Sequence, residues 1–331
     1  MDELADGEGH ASPLVSAVIP TYGRSERLPT AIKSVLGQTY DNIELLVVDD
    51  ASPTPVRETL EEITPQTEES VRILRHEENR GANVARNTGI QAASGEYVAF
   101  LDDDDRWDKT KIGKQIQKFQ ETSNDTGVVY TGVERRAPDG TTTRTTPSAS
   151  GNVVEDLLTG KNFGQFSAIV VDVDAIERAG LPDERLPAWQ DREWFFRLAQ
   201  HAHFQPVEET LTYRQTGLPD SITKKFEKKR DVAYPMLVSK YRPLAKEHGI
   251  YYERMFLASI RHSLARSAVR ADRYSEARKY FFLSFLANPL YRPVHVHLLA
   301  SLGGEWSYDG IASLRRKLIE TASHNASATH R

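Results

Sequence analysis

Apolar positions in the first hundred residues fall into two alternating rhythms. Residues 15–20, 43–48, 71–74 and 97–101 are short apolar runs with little polar alternation, the pattern of strands buried on both faces. Between them, residues 27–38 set Leu28, Ile32, Val35 and Leu36 at helical spacing. Residues 55–63 (with Pro55 near the first turn), 83–93 and 109–121 also predict helices. This alternation predicts an α/β domain, a mostly parallel sheet flanked by helices. Ligands of such sheets bind at the carboxyl ends of the strands, so the residues just after each strand are the candidates for chemistry.

Further along, residues 127–133 and 166–171 predict strands, 173–179 and 192–200 helices, and 204–215 an extended segment near a sheet edge. The Thr/Ser/Pro/Gly-rich residues 138–151 predict a loop or hairpin. From Lys224 onward the periodicity is helical, and residues 272–278 followed by Asn288-Pro289 resemble half of a tetratricopeptide-type hairpin, in one copy. The expected organisation is a disordered leader (1–13), an α/β domain (14–220), a helical C-terminal region (221–320) and a disordered tail (321–331). The leader is acidic and polar, unlike a signal peptide. No stretch reaches the roughly 18 apolar residues that span a bilayer, so the expected location is cytoplasmic.

Composition narrows the chemistry. The 331 residues include no cysteine, which excludes a disulfide scaffold, a thiolate metal site and a cysteine nucleophile. A net charge of −5 argues against a nucleic-acid partner. That charge is unevenly spread. Residues 221–331 hold 20 of the 42 Lys/Arg and 9 of the 47 Asp/Glu, a net of +11 against −16 in the rest. There is no phosphate-cradling lysine loop, no dinucleotide glycine fingerprint and no Gly-x-Ser-x-Gly elbow. The pairs His201/His203 and His295/His297 show no third ligand and are set aside as metal sites.

Four constellations remain. Asp102-Asp103-Asp104-Asp105 follows directly on an apolar strand. Carboxylates clustered there repel unless a cation holds them, and a hard ion such as Mg²⁺ or Mn²⁺ takes one or two together with phosphate oxygens. Asp49-Asp50 ends another strand; an acid here accepts from a ribose or base, or else caps the next helix. Gly81 permits a tight turn into a helix carrying Arg86, whose guanidinium suits a base, a phosphate or a neighbouring acid. Asp191 begins a helix after a Pro-containing loop, as a cap or as a general base.

Taken in order, these stretches resemble the inverting glycosyltransferase family 2. The matching segments are residues 15–24 (with Pro20-Thr21-Tyr22), 34–40, 44–52 (ending Asp49-Asp50-Ala51-Ser52), Asn79-Arg80-Gly81 with Ala85-Arg86-Asn87, 95–105 (ending Asp102-Asp103-Asp104-Asp105) and 190–198 (opening Gln190-Asp191), within about residues 14–218. The resemblance implies the nucleotide-diphospho-sugar transferase (GT-A) fold and a nucleoside-diphosphate-sugar donor. It implies that Pro20 and Tyr22 line the base pocket, that Asp50 contacts the nucleoside and Arg86 the nucleotide, and that Asp104 ligates Mg²⁺ or Mn²⁺. Asp102 or Asp103 would meet the ribose or act through water, and Asp191 would be the base. Two positions depart from the family pattern: Gln190 stands where Glu is usual, and Thr216 where a His often follows the Arg.

The expected activity is transfer of a sugar to an acceptor hydroxyl in glycan or lipid-linked oligosaccharide assembly. The alternatives are a catalytically silent sugar-nucleotide-binding or scaffold protein of the same fold, and a sugar-1-phosphate nucleotidyltransferase. The latter lacks its basic Gly-rich signature after the first strand. In the basic region, Lys224-Lys225-Phe226-Glu227-Lys228-Lys229-Arg230 and the apolar residues 280–286 suggest either a solvated helix face or a peripheral anchor on an anionic membrane beside a lipid-linked acceptor.

Overall fold

A computed structural model describes residues 12–61, 71–216 and 223–302. Residues 1–11 of the expected leader and the expected tail lie outside them. The chain divides into two compact units: residues 1–154, 162–186 and 190–218 form the first, and residues 155–161, 187–189 and 219–331 the second.

The first unit is built on a nine-stranded sheet. Strands β1 (Val15–Thr21), β2 (Ile43–Asp49), β3 (Val71–Arg75) and β4 (Tyr97–Phe100) are linked through helices α1 (Leu28–Leu36), α2 (Val56–Glu61) and α3 (Ala82–Ala92). All three pairings among these strands are parallel, in the order β3-β2-β1-β4. The apolar runs explain why. Val15, Ala17, Ile19, Leu45 and Val47 pack with Leu28, Ala31, Ile32 and Val35 of α1 on one face, and Val18 meets α3 on the other.

Beyond β4 the sheet becomes mixed. The short edge strand β5 (Asp105–Trp107), absent from the sequence expectations, precedes α4 (Lys111–Glu121). There follow β6 (Thr126–Arg136), β7 (Thr142–Thr145), α5 (Val154–Leu158), β8 (Ile169–Asp172), α6 (Val173–Ala179), α7 (Gln190–Ala199) and β9 (His203–Gln215). Strand β8 runs antiparallel to both β4 and β6, β6 pairs parallel with β9, and β5 closes the edge antiparallel to β9. Residues 138–151 do form a hairpin arm, β7 pairing with the end of β6. The expected strand at 166–171 starts three residues later, because Phe166–Ala168 is a single 3₁₀ turn.

Taken by itself, the second unit is helical. It contains α8 (Thr223–Lys228), one π-helical turn (Lys229–Ala233), α9 (Tyr234–Glu247), α10 (Ile250–Arg270), α11 (Tyr274–Ala287) and α12 (Arg292–Leu302). Ala258, Ala265 and Ala268 are fully buried small residues on α10. They let α11 approach closely enough for Ser284 Oγ to donate to Ala258 O at 2.7 Å. Phe226, Leu264, Phe281 and Val294 fill this unit's core, with Trp189 and Tyr234 packed against it.

Helix α3 is held tightly to β1. A Cβ on Gly89 would meet Val18 Cγ1 at 2.3 Å. Gly89→Ala is expected to destabilise by about 1–3 kcal/mol, as overpacking does, read as a lowered thermal or denaturant midpoint. An unchanged midpoint would show that this contact yields freely.

Candidate active site

The parallel strands end at one edge, and the acids stand there. A turn closed by Asp105 N donating to Asp102 O (3.0 Å) joins β4 to β5 and fans four carboxylates apart. Asp102, Asp104 and Asp105 point together: each offers an oxygen, and these oxygens lie within 4.8 Å of one another. Asp103 turns away. Its carboxylate accepts from Thr21 Oγ1 (2.7 Å) and from the Arg24 guanidinium (2.5 Å), which also reaches Asp104 (3.2 Å).

Asp105 is buried, accepts from Ser167 Oγ (2.6 Å) and Gln165 Nε2 (2.7 Å), and faces Arg214 at 3.8 Å. Burial first, then the charge of Asp102, push its carboxyl up to about 8. Its Oδ1 is buried with no hydrogen-bond partner. An orphaned carboxylate oxygen beside two other hard oxygen donors fits a divalent cation. Burial would raise Asp102 as well, but the guanidiniums of Arg86 and Arg214 outweigh it and hold that carboxyl low.

Arg86 lies on α3 and is buried. Its guanidinium donates to Asp102 (2.6 Å), Asn83 Oδ1 (3.1 Å) and Gln190 Oε1 (3.2 Å), and it stacks 4.0 Å from the Phe166 ring centroid. Phe166, Phe100 and Trp194 pack mutually with centroids 5.5 Å apart, fixing α7 over the end of β4. Gln190 is thereby anchored between Arg86 and Leu186 O (2.8 Å). Asp191 follows in the first turn of α7, half-buried, accepting from Arg192 N at 2.7 Å. Burial raises its carboxyl above the ordinary range, against the pull of that hydrogen bond, Arg214 and Arg86.

The residues expected to meet a nucleoside lie at the ends of β1 and β2. Pro20 is buried in β1, and Tyr22 is 49% exposed just beyond it. Asp50 is buried and accepts from Arg80 N (2.9 Å), Gly81 N (2.8 Å) and His76 Nδ1 (2.7 Å). It therefore pins the turn that opens α3. Its neighbour Asp49 takes the helix-side role, accepting from Ser52 N (2.8 Å) and Val56 N (3.3 Å) and pairing with Arg75. Ala51 (φ 63°) and Trp189 (φ 55°) sit in the left-handed region next to Asp50 and Gln190. Strain of that kind concentrates at functional sites.

Sequence reasoning gathered Asp102, Asp104, Arg86 and Asp191 into this edge. It did not single out Asp105, Arg24, Arg214 or His76. The alternation Asp105-Arg106-Trp107, with Asp105 on the buried side beside Trp107, was the available signal for Asp105.

Residues 16–173 match the family model described as glycosyl transferase family 2. This part of the chain belongs to that family. Among curated proteins, the chain is 39% identical over 129 residues to the putative teichuronic acid biosynthesis glycosyltransferase TuaG of Bacillus subtilis, covering 39% of this chain and 50% of that one. It is 42% identical over 103 residues to the UDP-Glc:alpha-D-GlcNAc-diphosphoundecaprenol beta-1,3-glucosyltransferase WfgD of Escherichia coli, covering 31% of this chain and 40% of that one. The match thus spans half or less of the length of each. The crystal structure of S. aureus TarS 1-349 superposes with a TM-score of 0.56 at 17% identity, covering 90% of this chain and 91% of that one. Its complex with UDP-GlcNAc superposes with 0.53 at 14%, covering 85% and 90%. The family 2 domain accordingly has the GT-A fold, followed by C-terminal helices.

With Asp105 raised to about 8, the folded chain holds a proton there that the unfolded chain releases near 4. In chelator, stability contributed by this group is full below about 4 and lost as pH rises towards about 8. Asp105→Asn is expected to flatten the fall in thermal midpoint over that window. Mn²⁺ should raise the wild-type midpoint more at pH 8 than at pH 5. A wild-type midpoint that rises with pH across the window, with no change of slope in Asp105→Asn, contradicts the assignment.

Proposed function

We propose that this chain is a metal-dependent inverting glycosyltransferase. It moves a sugar from a nucleoside-diphosphate sugar to an acceptor hydroxyl, in glycan or lipid-linked oligosaccharide assembly. The observation that carries this reading is the meeting, at one strand edge, of a carboxylate trio with an orphaned oxygen and a half-buried Asp191 of raised pKa.

Asp104, Asp102 and Asp105 would hold Mg²⁺ or Mn²⁺. When bound, such an ion offsets negative charge on a leaving diphosphate. Pro20 and Tyr22 border the base. Asp50 Oδ2, with one donor from Gly81, keeps acceptor capacity for the nucleoside. Asp103 orients Arg24, and Asp102 meets the donor's ribose or sugar beside Arg86. Arg86 and Arg214 face the region where charge develops, already oriented by Phe166 and Gln165. Asp191 takes the proton of the acceptor hydroxyl; its raised basicity suits that role. The hydroxyl oxygen bonds to the anomeric carbon as the bond to the diphosphate oxygen breaks on the opposite side, inverting the configuration. The competing reading, a silent sugar-nucleotide-binding protein, rests on Gln190 and Thr216. Gln190 nevertheless meets Arg86, as a carboxylate there would.

One relative is named for UDP-glucose use, and a structural neighbour was solved with UDP-GlcNAc, so UDP-sugars with Mn²⁺ are the first donors to screen. Asp104→Ala and Asp191→Asn are each expected to lower transfer by about 10²-fold or more, while Asp191→Asn keeps donor affinity by calorimetry. Retained turnover in Asp191→Asn removes the base assignment. A donor-induced thermal shift without turnover on any acceptor favours the silent protein.

Peripheral attachment to an anionic membrane is part of the proposal. No helix among the described residues is long and apolar enough to cross a membrane. Tyr280, Phe281 and Ser284 are core residues, which leaves Phe282 and Leu286, both more than half exposed, as the apolar contacts of α11. Lys229 reaches Ser267 and Arg230 pairs with Asp231 and Glu276. Co-sedimentation with anionic liposomes is expected at low salt and should weaken with salt. Absence of binding at low salt ends this part of the reading.

A further inference from the structure

Three adjacent strands place one charged residue each in a row across the sheet. Asp105 of β5 stands opposite Arg214 of β9, and Arg214 stands opposite Arg135 of β6. Like charges directly opposite one another are destabilising, so two neighbouring guanidiniums need anions. Arg214 has them in Asp102, Asp104 and Asp191, and it also donates to Gln165 and faces Asp105. Arg135 is half-buried, yet among the described residues no hydrogen bond or ion pair engages its guanidinium.

The charges that act on Arg135 are Arg214, Asp105 and Asp191. Burial and Arg214 weaken its hold on its own proton. The other site cations are matched: Arg86 with Asp102, and Arg24 with Asp103 and Asp104. Among the described residues, Asp191 likewise accepts only from the Arg192 amide and forms no ion pair with Arg135. Arg135 and Asp191 thus attract one another electrostatically without an ion pair between them. Asp191 is also the group assigned to receive the acceptor's proton.

We propose that Arg135 is a specificity residue that binds an oxyanion, phosphate or carboxylate, carried by the acceptor close to the hydroxyl that Asp191 deprotonates. The inference rests on the transferase reading above. The planar fork of Arg135 supplies two parallel donors to such a group. It would favour acidic acceptors over neutral ones and hold the hydroxyl against Asp191. The donor diphosphate is the other source of an oxyanion, but Arg214, Arg24 and the carboxylate trio already claim that side of the site.

The test uses the full chain saturated with UDP and Mn²⁺. Glycerol 3-phosphate is titrated against glycerol, and glucuronate against glucose, by ligand-observed NMR. Wild type is expected to bind at least one acidic probe about tenfold or more tightly than its neutral partner, the scale of one charge-assisted bidentate contact. Which acid is preferred separates phosphate from carboxylate. In Arg135→Gln the ratio should fall to within about twofold, with UDP affinity unchanged to about twofold. Arg135→Lys, which keeps the charge but loses the fork, should retain part of the preference and serves if Arg135→Gln does not fold. Equal binding of acidic and neutral probes by wild type, or an undiminished ratio in both variants, overturns the proposal. So does a tenfold loss of UDP affinity in Arg135→Gln, which would hand Arg135 to the donor diphosphate. If wild type fails to bind UDP yet keeps the acidic preference, the transferase reading falls and the oxyanion site stands.

Discussion

The structure of the first unit depends on keeping several carboxylates partly out of water at the end of one sheet. Isolated, they would be expensive to bury and would repel one another. Guanidiniums supply the remedy, each delivered by a different element. Arg86 comes from α3, Arg24 from the loop after β1, and Arg214 from β9. None of these is a free surface charge. Arg86 is fixed by Phe166 beneath it, and Phe166 by Phe100 and Trp194, so the apolar core decides where the positive charge sits.

Compensation is uneven from one acid to the next. Asp102 is driven towards its charged form by two arginines, while Asp105, deeper and next to Asp102, is driven towards its neutral form. A divalent ion would reverse the second tendency, since it replaces a proton with a stronger charge. Asp191 stands apart from direct ion pairs and keeps a raised basicity. One edge of one sheet therefore holds acids driven in different directions, set by burial first and then by the charges of the arginines and of Asp102.

The second unit obeys simpler rules. Small residues on α10 admit α11, and aromatic side chains fill what remains. The apolar run 280–286 divides between core and surface, Phe281 inward and Phe282 and Leu286 outward, because periodicity shows that a face is apolar without showing what covers it. Lys229 and Arg230 illustrate the same limit for charge: a basic run reads as exposed until its partners Ser267, Asp231 and Glu276 are folded beside it.

The sequence by itself determined the parallel core. Its strands are short apolar runs and its helices carry the 3.6-residue period, both set by neighbours in the chain. It also determined that acids follow strands β2 and β4, because a strand's end and the next residue are covalently adjacent. Only the tertiary structure decided which acids share a site. Asp103 and Asp105 are both in the run, but the turn after β4 and the pairing of β5 with β9 send one to Arg24 and the other to Arg214. The mixed half of the sheet was equally hidden, since whether β8 runs parallel or antiparallel depends on where distant segments return. Arg135 had no signal at all in the chain. It became notable only when β9 laid Arg214 beside it, a contact between residues 79 positions apart.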